Sequence, residues 1–204
     1  APTARALTSQ QRADICAAVA RGILAQKKEL AQSICDEAGK PITDAQAEVE
    51  RAALCFELAA AEAPRVAREG HLLPMDLRPQ GRGRLGLTQR VPIGPIAAIS
   101  PFNFPLNLAV HKVAPALAAG CPVILKPASQ TPTPALRLAE IIAETAWPRE
   151  ALSVLPATRA AATTTACGSS LVSRAASTRS CARPRSPRSR ASPRPRSSPS
   201  SSAA

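Results

Sequence analysis

Four polar residues stand at the ends of two short apolar runs. Ser100 closes the run at 95–100 and Asn103 follows it, and Lys126 and Ser129 follow the run at 122–125. If the runs are strands of an open α/β sheet, these groups share one edge, and such sheets bind ligands beyond the carboxyl ends of their strands. A ligand site is therefore expected along 99–103 and 126–129.

Other constellations are weaker. The six cysteines, at 16, 35, 55, 121, 167 and 181, form no C-x-x-C pair and lack a nearby His that would complete zinc spacing, so they read as free thiols and no metal site is expected. His71 and His111 fall in a ribbon and on a helix, and no serine carries the signature of a nucleophile. A literal G-x-G-x-x-G at Gly81, Gly83 and Gly86 is a decoy. No buried strand precedes it, no helix follows before Pro92, and no acid between Asp76 and Glu140 is available for a ribose hydroxyl.

The elements that must position the edge follow from periodicity. Apolar runs and helical spacing alternate as strand 96–100, helix 106–119, strand 123–125, helix 134–146 and strand 152–155. Connections of this length predict a parallel sheet with both faces covered. Upstream, Ile15, Val19, Ile23, Leu24, Leu30 and Ile34 predict one long amphipathic helix between a Thr8-Ser9 cap and a Gly39-Lys40-Pro41 stop, with Gly22 as its point of breakage. A second helix is predicted from a cap at Asp44 to Arg68, with Val49, Leu54, Phe56 and Leu58 on its apolar face and Gly70 closing it. Scattered leucines among Gly, Pro and Arg at 70–94 predict a two-stranded ribbon turning at 81–83.

At the candidate site the sequence resembles the NAD(P)-dependent aldehyde dehydrogenases. The resemblance is carried by Pro101-Phe102-Asn103-Phe104-Pro105 and by Lys126-Pro127-Ala128-Ser129-Gln130-Thr131-Pro132, and it extends more weakly from about Thr8 to about Pro156. It implies an α/β fold: an N-terminal helical segment at 1–69, a ribbon of the oligomerisation type at 70–94, and the first half of a Rossmann-like, parallel-sheet cofactor domain at 95–156. It implies oxidation of an aldehyde to a carboxylic acid with NAD or NADP, in a homo-oligomer. Asn103 becomes the catalytic amide donor to an oxyanion, a role its N–H group suits because it does not titrate; capping the following helix is its other reading. Ile99, Ser100, Pro101, Phe102, Asn103, Lys126, Ala128 and Ser129 become cofactor-binding, with Lys126 at the adenosine ribose. Many NAD-preferring members carry Glu where Ser129 stands, so the serine implies that NADP is tolerated. The family's nucleophile lies in a Gly-Gln-x-Cys context that none of the six cysteines has, and its general-base Glu is missing too. An inactive fragment is the expectation.

The charge supports a split at 157. The net charge is +12, yet residues 1–156 hold all 14 acidic and 17 of the 26 basic residues, leaving +3, while residues 157–204 carry nine Arg and no acid. With 13 Ser, 11 Ala and only Leu171 and Val172 as large aliphatics, this tail is expected to be disordered. An out-of-frame origin explains its composition. Codons TTC ACG GGC AGC for the family's Phe-Thr-Gly-Ser turn, shifted by one base, read TCA CGG GCA GC, and Ser173-Arg174-Ala175-Ala176 stands near the expected place. The alternatives are a nucleic-acid-binding protein acting through the tail, for which nonspecific binding is expected on charge alone, and a catalytically dead subunit docking through the ribbon. No apolar run approaches a membrane span and no signal-peptide core is seen, so no membrane association and a cytoplasmic location are expected.

Overall fold

The computed structural model describes residues 2–157. The tail expected to be disordered lies, apart from Ala157, outside the described residues, as do Cys167 and Cys181.

A short helix α1 (Pro2–Ala6) precedes Thr8, which opens α2 (Ser9–Ala25) with a capping box: Gln11 N–H donates to the Thr8 hydroxyl, and Thr8 N–H donates to the Gln11 side chain. Helix α3 (Lys27–Ala38) follows, ended by Gly39 in the left-handed conformation at φ 65°. The single long helix expected over this stretch is thus two, and the break lies at Gln26 rather than at Gly22. Gly22 serves packing instead. A Cβ there would meet Ile141 Cγ2 at 2.6 Å, so glycine lets α2 come close to the helix that bears Ile141.

Helix α4 (Ile42–Arg68) starts after Pro41, with Asp44 in its first turn rather than at its cap. There its carboxylate still opposes the positive end of the helix dipole. The buried stripe of α4 is Ala45, Glu48, Val49, Ala52, Ala53, Phe56, Ala59 and Ala63, while Leu54 and Leu58, expected on the core face, are exposed. The alanine stripe brings α2 and α5 close to α4, and the intervening leucines are turned away.

Strands β1 (Gly70–Pro74) and β2 (Leu85–Gln89) pair antiparallel from Gly70↔Gln89 to Pro74↔Leu85, forming the expected ribbon. The three glycines of the decoy motif serve its turn and second strand. A Cβ at Gly81 would lie 1.7 Å from the Met75 carbonyl oxygen, and Gly83 has φ 75°. Every residue of β1 is exposed, as is all of β2 except Gly86.

Strands β3 (Ile96–Ile99), β4 (Val123–Lys126) and β5 (Leu152–Val154) form a parallel sheet in that order, joined by α5 (Asn107–Ala119) and α6 (Thr133–Ala143). Gly120, at φ 77°, ends α5 as expected. Both crossovers step in the same direction across the sheet, and right-handed connections then put both helices on one face. Ala98, Val123 and Leu125 are buried on that face, while Ala97, Ile99 and Ile124 are exposed on the other. The expectation of two covered faces fails for that topological reason. The core is the layer formed where α2, α4, α5 and α6 meet, centred on Val19, Ile23, Phe56, Val113, Leu117 and Leu138.

Candidate functional site at the carboxyl edge of the parallel sheet

The candidate residues gather at one edge because the register makes them neighbours. Ile99 pairs with Lys126 at the ends of β3 and β4, and the Ser100 N–H donates to the Lys126 carbonyl at 3.1 Å. The loops carrying Asn103 and Ser129 leave the sheet side by side. Ile99 is 58% exposed on the open face and Phe102 is 56% exposed; Pro101, Asn103 and Ser129 are exposed, and Ala128 is half-buried. Ser100 is buried, and its hydroxyl has no hydrogen-bond partner among the described residues. Lys126 donates to the Pro127 carbonyl at 3.1 Å, and the Ser129 hydroxyl donates to the Ala157 carbonyl at 3.1 Å.

Asn103 lies in the bend before α5 and does not cap it. The N-cap is Leu106, which has no capping side chain, and the free amides at the helix start go to Glu48. Glu48 Oε1 accepts from Leu106 N–H at 3.0 Å and from Asn107 N–H at 3.1 Å, and Oε2 accepts from Lys40 Nζ at 2.6 Å. The Glu48 side chain is fully buried, with Lys40 at 18% exposure. Lys40 Nζ also lies 3.7 Å from the centroid of the Phe104 ring, with the Arg51 guanidinium 5.7 Å from the same ring. A second carboxylate treats α6 in the same way: Glu37 accepts from the Thr133 N–H and hydroxyl.

Sequence reasoning missed Glu37, Glu48 and Lys40. A signal for Glu48 existed, since Ala45, Glu48, Val49 and Ala52 follow i, i+3, i+4 and i+7, which puts a carboxylate inside an apolar stripe. Lys40 was read only as part of a helix stop.

Of the four cysteines among the described residues, all are free, and two have thiols that burial disfavours as anions. Burial pushes Cys16 up to about 12, partly opposed by the nearby Arg12 and reinforced by Cys55. Burial also raises Cys55. Because the thiolate is the nucleophile, neither is set up for covalent catalysis at neutral pH.

A parallel α/β unit with an amide, an ammonium and an exposed apolar strand end along its carboxyl edge has these groups where open α/β sheets bind their ligands. The profile of the aldehyde dehydrogenase family matches residues 1–182, and the chain belongs to that family. The match runs beyond Pro156, where the sequence reading ends the resemblance, and its last 25 residues lie outside the described ones. The 3-sulfolactaldehyde dehydrogenase of Priestia aryabhattai is 43% identical over 145 residues, 71% of this chain and 30% of that protein. The crystal structure of aldehyde dehydrogenase 21 from Physcomitrella patens with its product succinate matches with a TM-score of 0.76 and 42% identity, covering 79% of this chain and 34% of that one. The glyceraldehyde-3-phosphate dehydrogenase of Methanocaldococcus jannaschii complexed with NADP matches with a TM-score of 0.70 and 35% identity, covering 77% and 34%. The chain thus spans about a third of the length of the relatives it matches. No helix among the described residues is long and apolar enough to cross a membrane.

Proposed function

We propose that this chain is the part of an NAD(P)-dependent aldehyde dehydrogenase that holds the adenosine side of the cofactor and presents Asn103 to the reacting aldehyde. The observation that supports this most is the pairing of Ile99 with Lys126, which sets the Asn103 and Ser129 loops next to each other at one sheet edge. The residues fit an adenosine moiety. Ile99 offers an exposed apolar surface, Lys126 an ammonium whose one hydrogen bond among the described residues is to the adjacent Pro127 carbonyl, and Ser100 a buried hydroxyl without a partner among those residues. The turn from β3 to α5 has no glycine, so the usual glycine-lined pyrophosphate cradle is lacking there. When bound, the nicotinamide supplies the hydride acceptor. Asn103 directs an uncharged N–H donor at the oxygen on which negative charge develops. Ser129, being neutral, does not repel a 2′-phosphate, and NADP binds as well as NAD.

The substrate class we propose is an aldehyde with an anionic group at its far end. Among relatives, one is named for 3-sulfolactaldehyde, one holds succinate and one is named for glyceraldehyde 3-phosphate. Arg51, beside the Phe104 ring and in no ion pair among the described residues, is the cation available to such a group.

The same reading makes the chain incapable of turnover by itself, since no cysteine has the context of the family nucleophile. The ribbon at 70–94 serves subunit assembly, and the tail is an out-of-frame product, for which the coding DNA around codon 156 is the direct test. Calorimetric titration with NADP and NAD tests the binding reading: both bind, and Lys126→Ala weakens both. Absence of binding in a folded chain overturns it. Incubation with succinate semialdehyde and NADP should yield no reduced cofactor.

A further inference from the structure

We propose that Glu48 is a positioning residue for Asn103, acting through Lys40 and the Phe104 ring as well as through the start of α5. The inference rests on the reading of Asn103 given above. The Asn103 loop is the segment 101–105, with a proline at each end. Its entry is fixed by the bond from Ser100 N–H to the Lys126 carbonyl. Its exit is fixed by Glu48 Oε1, which binds the N–H groups of Leu106 and Asn107.

A helix cap alone would need only that oxygen. The other oxygen, Oε2, holds Lys40 Nζ at 2.6 Å, and the same ammonium sits 3.7 Å from the Phe104 ring centroid. Phe104 is the immediate neighbour of Asn103, so the carboxylate grips the loop at two places, backbone and ring. A neutral residue could accept the two backbone bonds, but only an anion also holds a cation in place over the ring. The carboxylate belongs to the N-terminal helical segment, which makes that segment part of the mechanism that orients the amide.

Nuclear magnetic resonance on the full 204-residue chain tests this through the side-chain NH2 signals of Asn103. Glu48→Gln keeps a backbone acceptor and loses the anion; Lys40→Met loses the cation and leaves Glu48 on the helix. In both, the Asn103 pair should shift and broaden while the amides of α5 beyond Val110 stay in place. Lys40→Arg should return the pair towards its original position. If the pair is unmoved in Lys40→Met, or unmoved in a folded Glu48→Gln, Glu48 is only a helix cap and the proposal fails. Should Glu48→Gln not fold, Lys40→Met decides alone. Cofactor titration is a separate measurement on the same samples, so loss of NADP binding with an intact Asn103 response would overturn the proposed function and leave this inference standing.

Discussion

Glu48 on α4 accepts the backbone N–H of Asn107 at 3.1 Å, joining residues 59 positions apart at the start of α5. Two buried amides and an ammonium depend on this one carboxylate. Glu48→Ala strands all three, and a destabilisation of about 3 kcal/mol is expected. Urea unfolding should show it as a lower midpoint with an unchanged slope; a loss under roughly 1 kcal/mol would mean that other groups satisfy the helix start.

Gly22→Ala opposes two effects. Alanine favours the helix by up to about 1 kcal/mol, but the added methyl would stand 2.6 Å from Ile141 Cγ2, and overpacking of this kind costs about 1–3 kcal/mol. The net expectation is destabilisation. Ile141→Leu moves the branch away from Cβ, so the double variant should recover part of the loss in a thermodynamic cycle.

Cys16 gives a stability signature at high pH. Its folded-state value is about 12 against an ordinary 9.0. The folded chain therefore retains the proton after the unfolded chain has lost it. The contribution is fully present below pH 9 and is lost as pH rises towards 12, by up to ~4 kcal/mol at 1.36 kcal/mol per unit. Comparing the wild type with Cys16→Ala isolates it: the wild type should lose ground steadily over that window. A constant difference would contradict the burial of this thiol.

Ser129→Glu should separate the two cofactors. A carboxylate at this position repels a 2′-phosphate, so NADP affinity should fall about tenfold, ~1.4 kcal/mol, with NAD affinity held or improved. Calorimetry with both cofactors reads the ratio directly, and equal losses for the two would place Ser129 away from the ribose.

Much of the architecture was legible because local signals agreed. The Thr8 cap, the Gly39 and Gly120 stops and the alternation of apolar runs with helical spacing all lie within a few residues of what they control. Long-range packing was not legible in this way. Gly22 looks like a helix breaker until the Ile141 side chain of α6 is known to place its Cγ2 2.6 Å from where a Cβ would stand. Leu54 and Leu58 look like core until the alanines of α4 are seen to be the contact surface. At the site, the four loop residues could be singled out as polar ends of apolar runs, whereas Glu48 and Lys40 come from sequence some sixty residues upstream, and only the fold brings them to the loop.

The one-sided cover of the parallel sheet governs how the chain behaves at high concentration. Ile99 and Ile124 face water on the open side, and the ribbon adds Leu72, Leu77, Leu85 and Leu87, so exposed large apolar side chains are concentrated on the sheet face and the ribbon as well as on the helices. Exposed apolar side chains of this kind favour self-association, and the ribbon edges that pair with nothing among the described residues offer a template for it. Colloidal solubility is then set by a few leucines and isoleucines that add nothing to the folding of the core: replacing Leu77 and Leu87 by Lys should raise the concentration at which the chain stays monodisperse in light scattering without moving its thermal midpoint.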